Sequence, residues 1–197
     1  MITRKGQATK EHIVEAAATL IGQHGVAGTS TDDVRKAAGV SGSQLYHYFD
    51  SKQALVRAVI THRAGSEAVV GHPMFARLDS FDALQAWADA AVDNAEHGSA
   101  YGACTLAMLA GSMTPGDEQT RDELCTAFLR QQEMLLTGLR SMRDKGDLRP
   151  EADLDELSMA LLTALQGGTL LSETMRTTAP MRSSMQAALS YIRSFAA

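Results

Sequence analysis

Residues 41–53 read Ser-Gly-Ser-Gln-Leu-Tyr-His-Tyr-Phe-Asp-Ser-Lys-Gln. Folded as a short helix, this segment turns Leu45 inward and presents Gly42, Ser43, Gln44, Tyr46, His47 and Tyr48 outward. Hydroxyls, a carboxamide and an imidazole can all hydrogen-bond, and no bulky acid stands among them. A face of this kind can enter a DNA major groove and donate to phosphates and base edges. The chemistry on offer is recognition, not bond-breaking. The six histidines (12, 24, 47, 62, 72 and 97) do not cluster, and no helix sets two of them at metal-ligand spacing. No phosphate loop, nucleophile elbow or Cys/His pairing stands out. Adjacent acids such as Asp32-Asp33 are explained by a helix start. The sequence therefore argues against an enzyme, and neither a cofactor nor a metal is expected.

The elements that position this face can be read on either side of it. Apolar residues at Ile13, Val14, Ala17, Leu20 and Ile21 follow a helical pattern from Lys10 to Gly25. Ser30-Thr31-Asp32-Asp33 opens a second helix, with capping hydroxyls and first-turn acids, which runs through Val34, Ala37 and Ala38 to Gly39. After Gly39-Val40-Ser41 the third helix begins, with Ser41 and Gln44 spaced as a capping box. Helix, three-residue turn with glycine, helix is the layout of a helix-turn-helix. Small Ala37 and Ala38 allow a close crossing, Gly39 tolerates a sharp turn, and Val40 and Leu45 anchor the unit. Asp50 with Gln53 predicts a second box, starting a long helix through Leu55, Val59 and His62.

Beyond this head, Gly71-His72-Pro73 breaks the chain and a linker runs to Ser80. Five further helices are predicted. The first carries Phe81, Leu84, Ala88 and Ala91, and the second is an apolar, buried helix over 104–113. A long one opens at Thr114-Pro115-Gly116-Asp117, with Pro at its first position, and ends near Gly146. The fourth is capped by Asp153 with Glu156 and carries Leu157, Leu161, Leu165 and Leu171. The last is opened by Pro180. The expected fold class is all-α, about nine helices: a three-helix head (1–54) and a helical bundle (55–197), the boundary falling inside the fourth helix.

Charge follows the same division. Residues 1–63 hold eight Lys/Arg and five Asp/Glu, whereas residues 64–197 hold ten and eighteen, within a net charge of -5. A mildly basic head on an acidic body is compatible with DNA binding through the head. The basic, polar N-terminus has no apolar stretch behind it and no apolar run is long enough for a bilayer, so the expected location is cytoplasmic, with no membrane partner. Two cysteines, Cys104 and Cys125, do not suggest a disulfide framework in a chain of 197 residues.

The run Gly39-Val40-Ser41-Gly42-Ser43-Gln44-Leu45-Tyr46-His47-Tyr48-Phe49-Asp50-Ser51-Lys52-Gln53-Ala54-Leu55 closely resembles the signature of the TetR family of repressors. The preceding helix and the join at Thr29-Ser30-Thr31 match as well, so the resemblance covers about the first third of the chain. Tyr101-Gly102-Ala103-Cys104 and Leu165-Gln166-Gly167-Gly168 look like a subgroup with LmrA/YxaF-type C-terminal domains, a looser match. The resemblance implies that Ser41, Ser43, Gln44, Tyr46 and His47 face DNA. It also implies that Tyr46, Tyr48 and Lys52 hold phosphates, with Thr31 reaching one from the second helix. Gln44 can instead only complete its capping box, Tyr46 can be a packing aromatic, and His47 can be a plain surface residue. Arg4, Lys5 and Lys10 either form a minor-groove arm or a solvated terminus. Asp32 stands where some family members carry a base-reading basic residue, so that contact is not expected here and Asp32 is assigned to the helix N-terminus.

One short recognition helix confers little specificity, and two copies on a two-fold axis read a palindrome. A homodimer on a double-stranded DNA operator is therefore expected, paired through the last two helices. There Thr163, Ala164, Gly167 and Gly168 would permit close approach, or the glycines only kink a helix. All nine methionines after Met1 lie beyond residue 70, which suits a pocket for a small hydrophobic ligand. Trp87, Cys104, Met108, Phe128, Met159, Leu162 and Gln166 are the expected lining, with ordinary core packing as the alternative for each. The function so read is a ligand-responsive transcription repressor, released from DNA by a small apolar molecule. Its rivals are an enzyme and a helical interaction protein that has lost DNA binding.

Overall fold

The computed structural model describes residues 3–65, 78–96, 106, 109–111, 113 and 116–197. The named helices among them are α1 (Arg4–His24), α2 (Thr31–Ala37), α3 (Gly42–Tyr48), α4 (Lys52–Gly65), α5 (Phe81–Glu96), α6 (Glu118–Asp144), α7 (Leu154–Met175) and α8 (Ala179–Arg193). Residues 106 and 109–111 are helical too, with Leu106 and Leu109 fully buried, in keeping with an apolar helix there. Among the described residues the only β feature is an isolated bridge between Leu148 and Ala196. The all-α expectation holds.

Helix starts explain most departures from the sequence reading. Helix α1 begins at Arg4, six residues before the apolar pattern, because the Thr3 side chain accepts from the Gly6 N–H. Arg4, Lys5 and Lys10 therefore sit on a helix and do not form a loose arm. Helix α4 is capped by Ser51, whose Oγ accepts from the Ala54 N–H at 3.1 Å, and not by Asp50, whose carboxylate accepts from the Ser51 hydroxyl at 3.0 Å. Helix α6 begins at Glu118 behind Asp117, whose carboxylate accepts from the Thr120 N–H and hydroxyl (3.1 and 2.6 Å). Thr114 and Pro115, where the sequence reading opened this helix, lie outside the described residues. Asp153 caps α7 as expected, accepting from the Glu156 N–H.

Two buried clusters hold the molecule together. The first joins Ile13, Val14, Ala17 and Ile21 of α1 to Val34, Leu45, Phe49 and the α4 residues Leu55, Val56, Val59 and Ile60. It continues without interruption into Leu106, Leu109, Leu124 and Ala127, so the head's core is completed by residues of the body. The second gathers Leu84 and Trp87 of α5, Leu135, Leu139 and Met142 of α6, Leu157, Leu161 and Leu165 of α7, and Met181, Met185 and Ile192 of α8. Phe128 packs against both. Thr61 of α4 adds a polar tie, donating to Glu123 of α6 at 3.0 Å.

Gly138 was not singled out by the sequence, yet the approach of the linker depends on it. A Cβ there would stand 2.4 Å from the Leu78 carbonyl oxygen, so the backbone at Leu78 lies directly on α6. The ion pair of Lys145 with Asp79, at 2.6 Å, ties the next residue to the C-terminal end of α6.

Candidate nucleic-acid interface

The helix-turn-helix is built from short-range hydrogen bonds. Ser30 and Asp33 form a complete capping box on α2: the Asp33 N–H donates to Ser30 Oγ at 3.1 Å, and the Ser30 N–H donates to Asp33 Oδ2 at 3.0 Å. Ser41 and Gln44 repeat the arrangement on α3, at 3.1 and 2.9 Å. Gly39 joins the helices with φ 61°, a left-handed conformation in which a side chain would be strained. Leu45 and Phe49 are buried on the inner side of α3, Val34 and Ala38 on that of α2, and Val40 packs against the same cluster. Ala37, expected at the crossing, is exposed.

With its inner side thus fixed, α3 presents Ser43, Gln44, Tyr46 and His47 to solvent. Tyr46 is 60% exposed. Tyr48 is half-buried against the head core and meets the His47 ring edge-on at 5.0 Å. Gly42 is half-buried, since a Cβ there would touch the Arg35 side chain of α2. Ser41 is exposed, but its hydroxyl is already in use as the cap and lies 3.0 Å from Ser43 Oγ. Gln44 reconciles its two readings, because Oε1 serves the box and its amide N–H groups keep no hydrogen bond within the head among the described residues. Lys52 is half-buried in the first turn of α4, and Thr31 is half-buried in the first turn of α2.

The acids of α2 divide their work differently from the sequence expectation. Both acids stand in the first turn of α2, as expected, but only Asp33 closes the capping box; the Ser30 hydroxyl and then the Ser30 N–H hold its carboxyl below the usual carboxylate range. Asp32 instead grips two cations of its own helix, Lys36 at 2.7 Å and Arg35 at 2.7 Å, and the hydrogen bonds from Lys36 and then Arg35 lower its pKa. These two cations lie on the helix-turn-helix and were overlooked; their i+3 and i+4 spacing from Asp32 was the available signal. Lys10 sits with its ammonium 5.8 Å from the centre of the buried Phe49 ring, beside the end of α3.

The residues expected to line a ligand site separate in the structure. Trp87 and Leu162 are buried in the body core, and Phe128 bridges the two clusters. Gln166 of α7 donates from Nε2 to Gln131 Oε1 of α6 at 2.9 Å. Met159 does not join them: it is 45% exposed, on the outer side of α7. Cys104 and Met108 lie outside the described residues. Leu171, expected on the buried face of α7, is half exposed.

A helix-turn-helix whose second helix carries hydrogen-bonding groups on a rigid apolar base defines a DNA-binding regulator. Comparison with known proteins narrows the class. The family model described as "Bacterial regulatory proteins, tetR family" matches residues 13–59, and the model "Tetracyclin repressor-like, C-terminal domain" matches residues 80–188. The chain belongs to the TetR family, whose members are transcription regulators and not enzymes. The second match stays at the level of the C-terminal domain and does not distinguish the LmrA/YxaF-type subgroup.

Among curated relatives, the HTH-type transcriptional repressor KstR2 of Rhodococcus jostii is 35% identical over 51 residues, 26% of this chain and 25% of that protein. The negative regulator of the biofilm operon icaADBC, IcaR of Staphylococcus aureus, is 37% identical over 46 residues, 23% of this chain and 25% of its own length. The chain thus aligns with only about a quarter of each of these relatives. Solved structures agree over nearly the whole length. A TetR transcriptional regulator from Chloroflexus aurantiacus superposes with a TM-score of 0.78 at 26% identity, covering 98% of both chains. A TetR-family regulator from Cytophaga hutchinsonii reaches 0.81 at 19% identity, again covering 98% of both.

Proposed function

We propose that this protein is a ligand-responsive repressor, acting as a homodimer on a palindromic operator and released by a small apolar molecule. The observation that carries the reading is the outward face of α3, where Ser43, Gln44, Tyr46 and His47 are exposed above buried Leu45 and Phe49. In the proposed pose α3 enters the major groove. Ser43, Gln44, Tyr46 and His47 meet the DNA, with Ser41 holding the helix start, and Gln44 offers its amide N–H while Oε1 keeps the cap. Tyr46, Tyr48, Lys52 and Thr31 hold phosphates, which fixes register without reading sequence. Its location is cytoplasmic; no described helix is long and apolar enough to cross a membrane.

Pairing uses the outer faces of α7 and α8. Met159, Leu170, Leu171 and Met175 are large apolar side chains left exposed on α7, beside Thr163. Ser183, Ala187 and Ser190 form an exposed small-residue stripe on α8. Ala164 and Gly168, expected at this contact, stand at the crossing of α7 with α8 within the chain: the Ala164 carbonyl accepts from Ser184, and a Cβ on Gly168 would meet Ser184 and Met181. A second copy burying the apolar face gives two recognition helices on one side of the DNA.

We assign function to the two regions 1–54 and 55–197, with α4 belonging to both. Release is a population shift in which ligand favours a different separation of the two heads, transmitted by α4. The experiment is a gel-shift with DNA upstream of the protein's own gene. Binding that a small apolar compound reverses supports the reading; failure to bind at low salt, where phosphate contacts are strongest, overturns it.

A further inference from the structure

The buried hydroxyls of the body, on Thr120, Ser158 and Ser172, all have hydrogen-bond partners; one carboxamide pair does not follow them. Gln131 is 3% exposed, and its Oε1 accepts from Gln166 Nε2 across the α6–α7 interface. Gln166 Oε1 is buried and has no hydrogen-bond partner. Gln131 is thus taken out of water, half-buried Gln166 turns its Oε1 inward with it, and that acceptor is left unsatisfied. A pair kept only for packing would cost less as two apolar side chains.

The neighbours one turn away say what such an acceptor can receive. On α6 they are Ala127, Phe128, Met134 and Leu135; on α7 they are Leu162, Thr163, Thr169 and Leu170. None of the eight is ionisable. A charged ligand would find no counter-ion on either helix there, whereas an uncharged one carrying a hydroxyl or N–H would satisfy the orphaned oxygen. We infer that the Gln131–Gln166 pair is the polar anchor of the sensing site, selecting a largely apolar, neutral molecule with one hydrogen-bond donor. This deepens, and rests on, the ligand-responsive reading. The anchor is also well placed to be heard by the head. Phe128, one turn before Gln131, packs against both buried clusters, so a shift of α6 at the anchor reaches the core that carries α3 and α4.

The test uses a matched series with one apolar body: 1-naphthol, 1-methoxynaphthalene and 1-naphthoate. Each is titrated calorimetrically into the full-length wild type and into the double variant Gln131→Met/Gln166→Met. The expected result is about tenfold tighter binding of the naphthol than of the ether or the carboxylate, with that preference lost in the double variant. In the absence of compound, the double variant should melt no lower than wild type, because it removes an unsatisfied buried acceptor. Equal binding of naphthol and ether, or preference for the carboxylate, overturns the anchor while leaving a sensing body intact. A double variant that melts several degrees lower makes the pair a structural element and overturns it too. No binding of any of the three would count against the sensing reading itself.

Discussion

In the head, the groups proposed to touch DNA stand on the outside of a helix whose inner side is fixed by Leu45 and Phe49. In the body, the groups proposed to touch a ligand lie between helices, and the exposed apolar ones, Met159 and Leu170, are assigned to a second copy of the chain. The head is organised by hydrogen bonds between residues three apart, at Ser30–Asp33 and Ser41–Gln44. The body depends on residues far apart in sequence, as where Gln131 meets Gln166 or Gly138 admits Leu78. A recognition surface can therefore be local and nearly rigid, while a sensing interior must be a property of several helices at once. Such an interior can change state when one interface shifts.

The comparison is broken most forcefully at the pairing face. Leu170→Glu with Met159→Glu places charge on the proposed dimer contact and should yield a monomer by light scattering, with the helical circular dichroism kept. In the proposed dimer two heads bind DNA as one unit, so operator affinity should fall by about a hundredfold or more. An undiminished dimer would move the interface elsewhere. Next in size are Lys52→Ala and Tyr46→Ala in the head. Each should weaken binding by about tenfold, and loss of Lys52 should reduce the salt slope by about one, with the dimer unchanged. Unaltered affinity in both would show the docking pose to be wrong.

Equal caps in the two regions sharpen the contrast. Ser41→Ala and Asp153→Ala should each lower stability by about 1 kcal/mol in urea denaturation. Only Ser41→Ala should also weaken operator binding beyond that loss, because the box holds Gln44 in place; equal effects on DNA would deny α3 its special role. A smaller effect is expected at Asp32→Asn. Freeing Arg35 and Lys36 should raise affinity for duplex of arbitrary sequence a few-fold and steepen its salt dependence.

The smallest effect concerns pH. The carboxyls of Asp32 and Asp33 in the head, and of Asp117 in the body, are lowered from their ordinary value, the first by Lys36 and Arg35 and the others by the Ser30 and Thr120 groups they cap. A depressed carboxylate stabilises the fold above its ordinary pKa, and that contribution is lost as pH falls through the folded value. Both regions should therefore keep these contacts down to about pH 4, the ordinary carboxylate range, and lose them only below it. Side-chain carboxyl titration by NMR would read this directly. Normal titration at all three would contradict the hydrogen bonds described.

What the sequence made legible follows the same division. The turn at Gly39, the Ser41–Gln44 box and the inward Leu45 were all readable, because each depends on neighbours three or four residues away. The cap of α4 was missed by one residue, since Asp50 and Ser51 are both good capping residues and only geometry chooses Ser51. The start of α6 was misplaced because Pro115 and Asp117 both signal a helix N-terminus. On α7 the phase was not legible at all. Leu157, Met159, Leu161, Leu162, Leu165, Leu170 and Leu171 surround the helix, so periodicity could not tell that Met159 and Leu171 face outward. Gly138 and the Gln131–Gln166 contact carry no local signal, because each acquires its meaning from an element distant in the chain.

The central claim is that two copies of α3 read one face of an operator. Hydroxyl-radical footprinting of the wild-type protein on the DNA upstream of its gene tests it most directly. Two symmetric protected segments are expected, with centres about one helical turn or a multiple of it apart, both lost together in Tyr46→Ala. A single protected segment, or a footprint that Tyr46→Ala leaves unchanged, would contradict it.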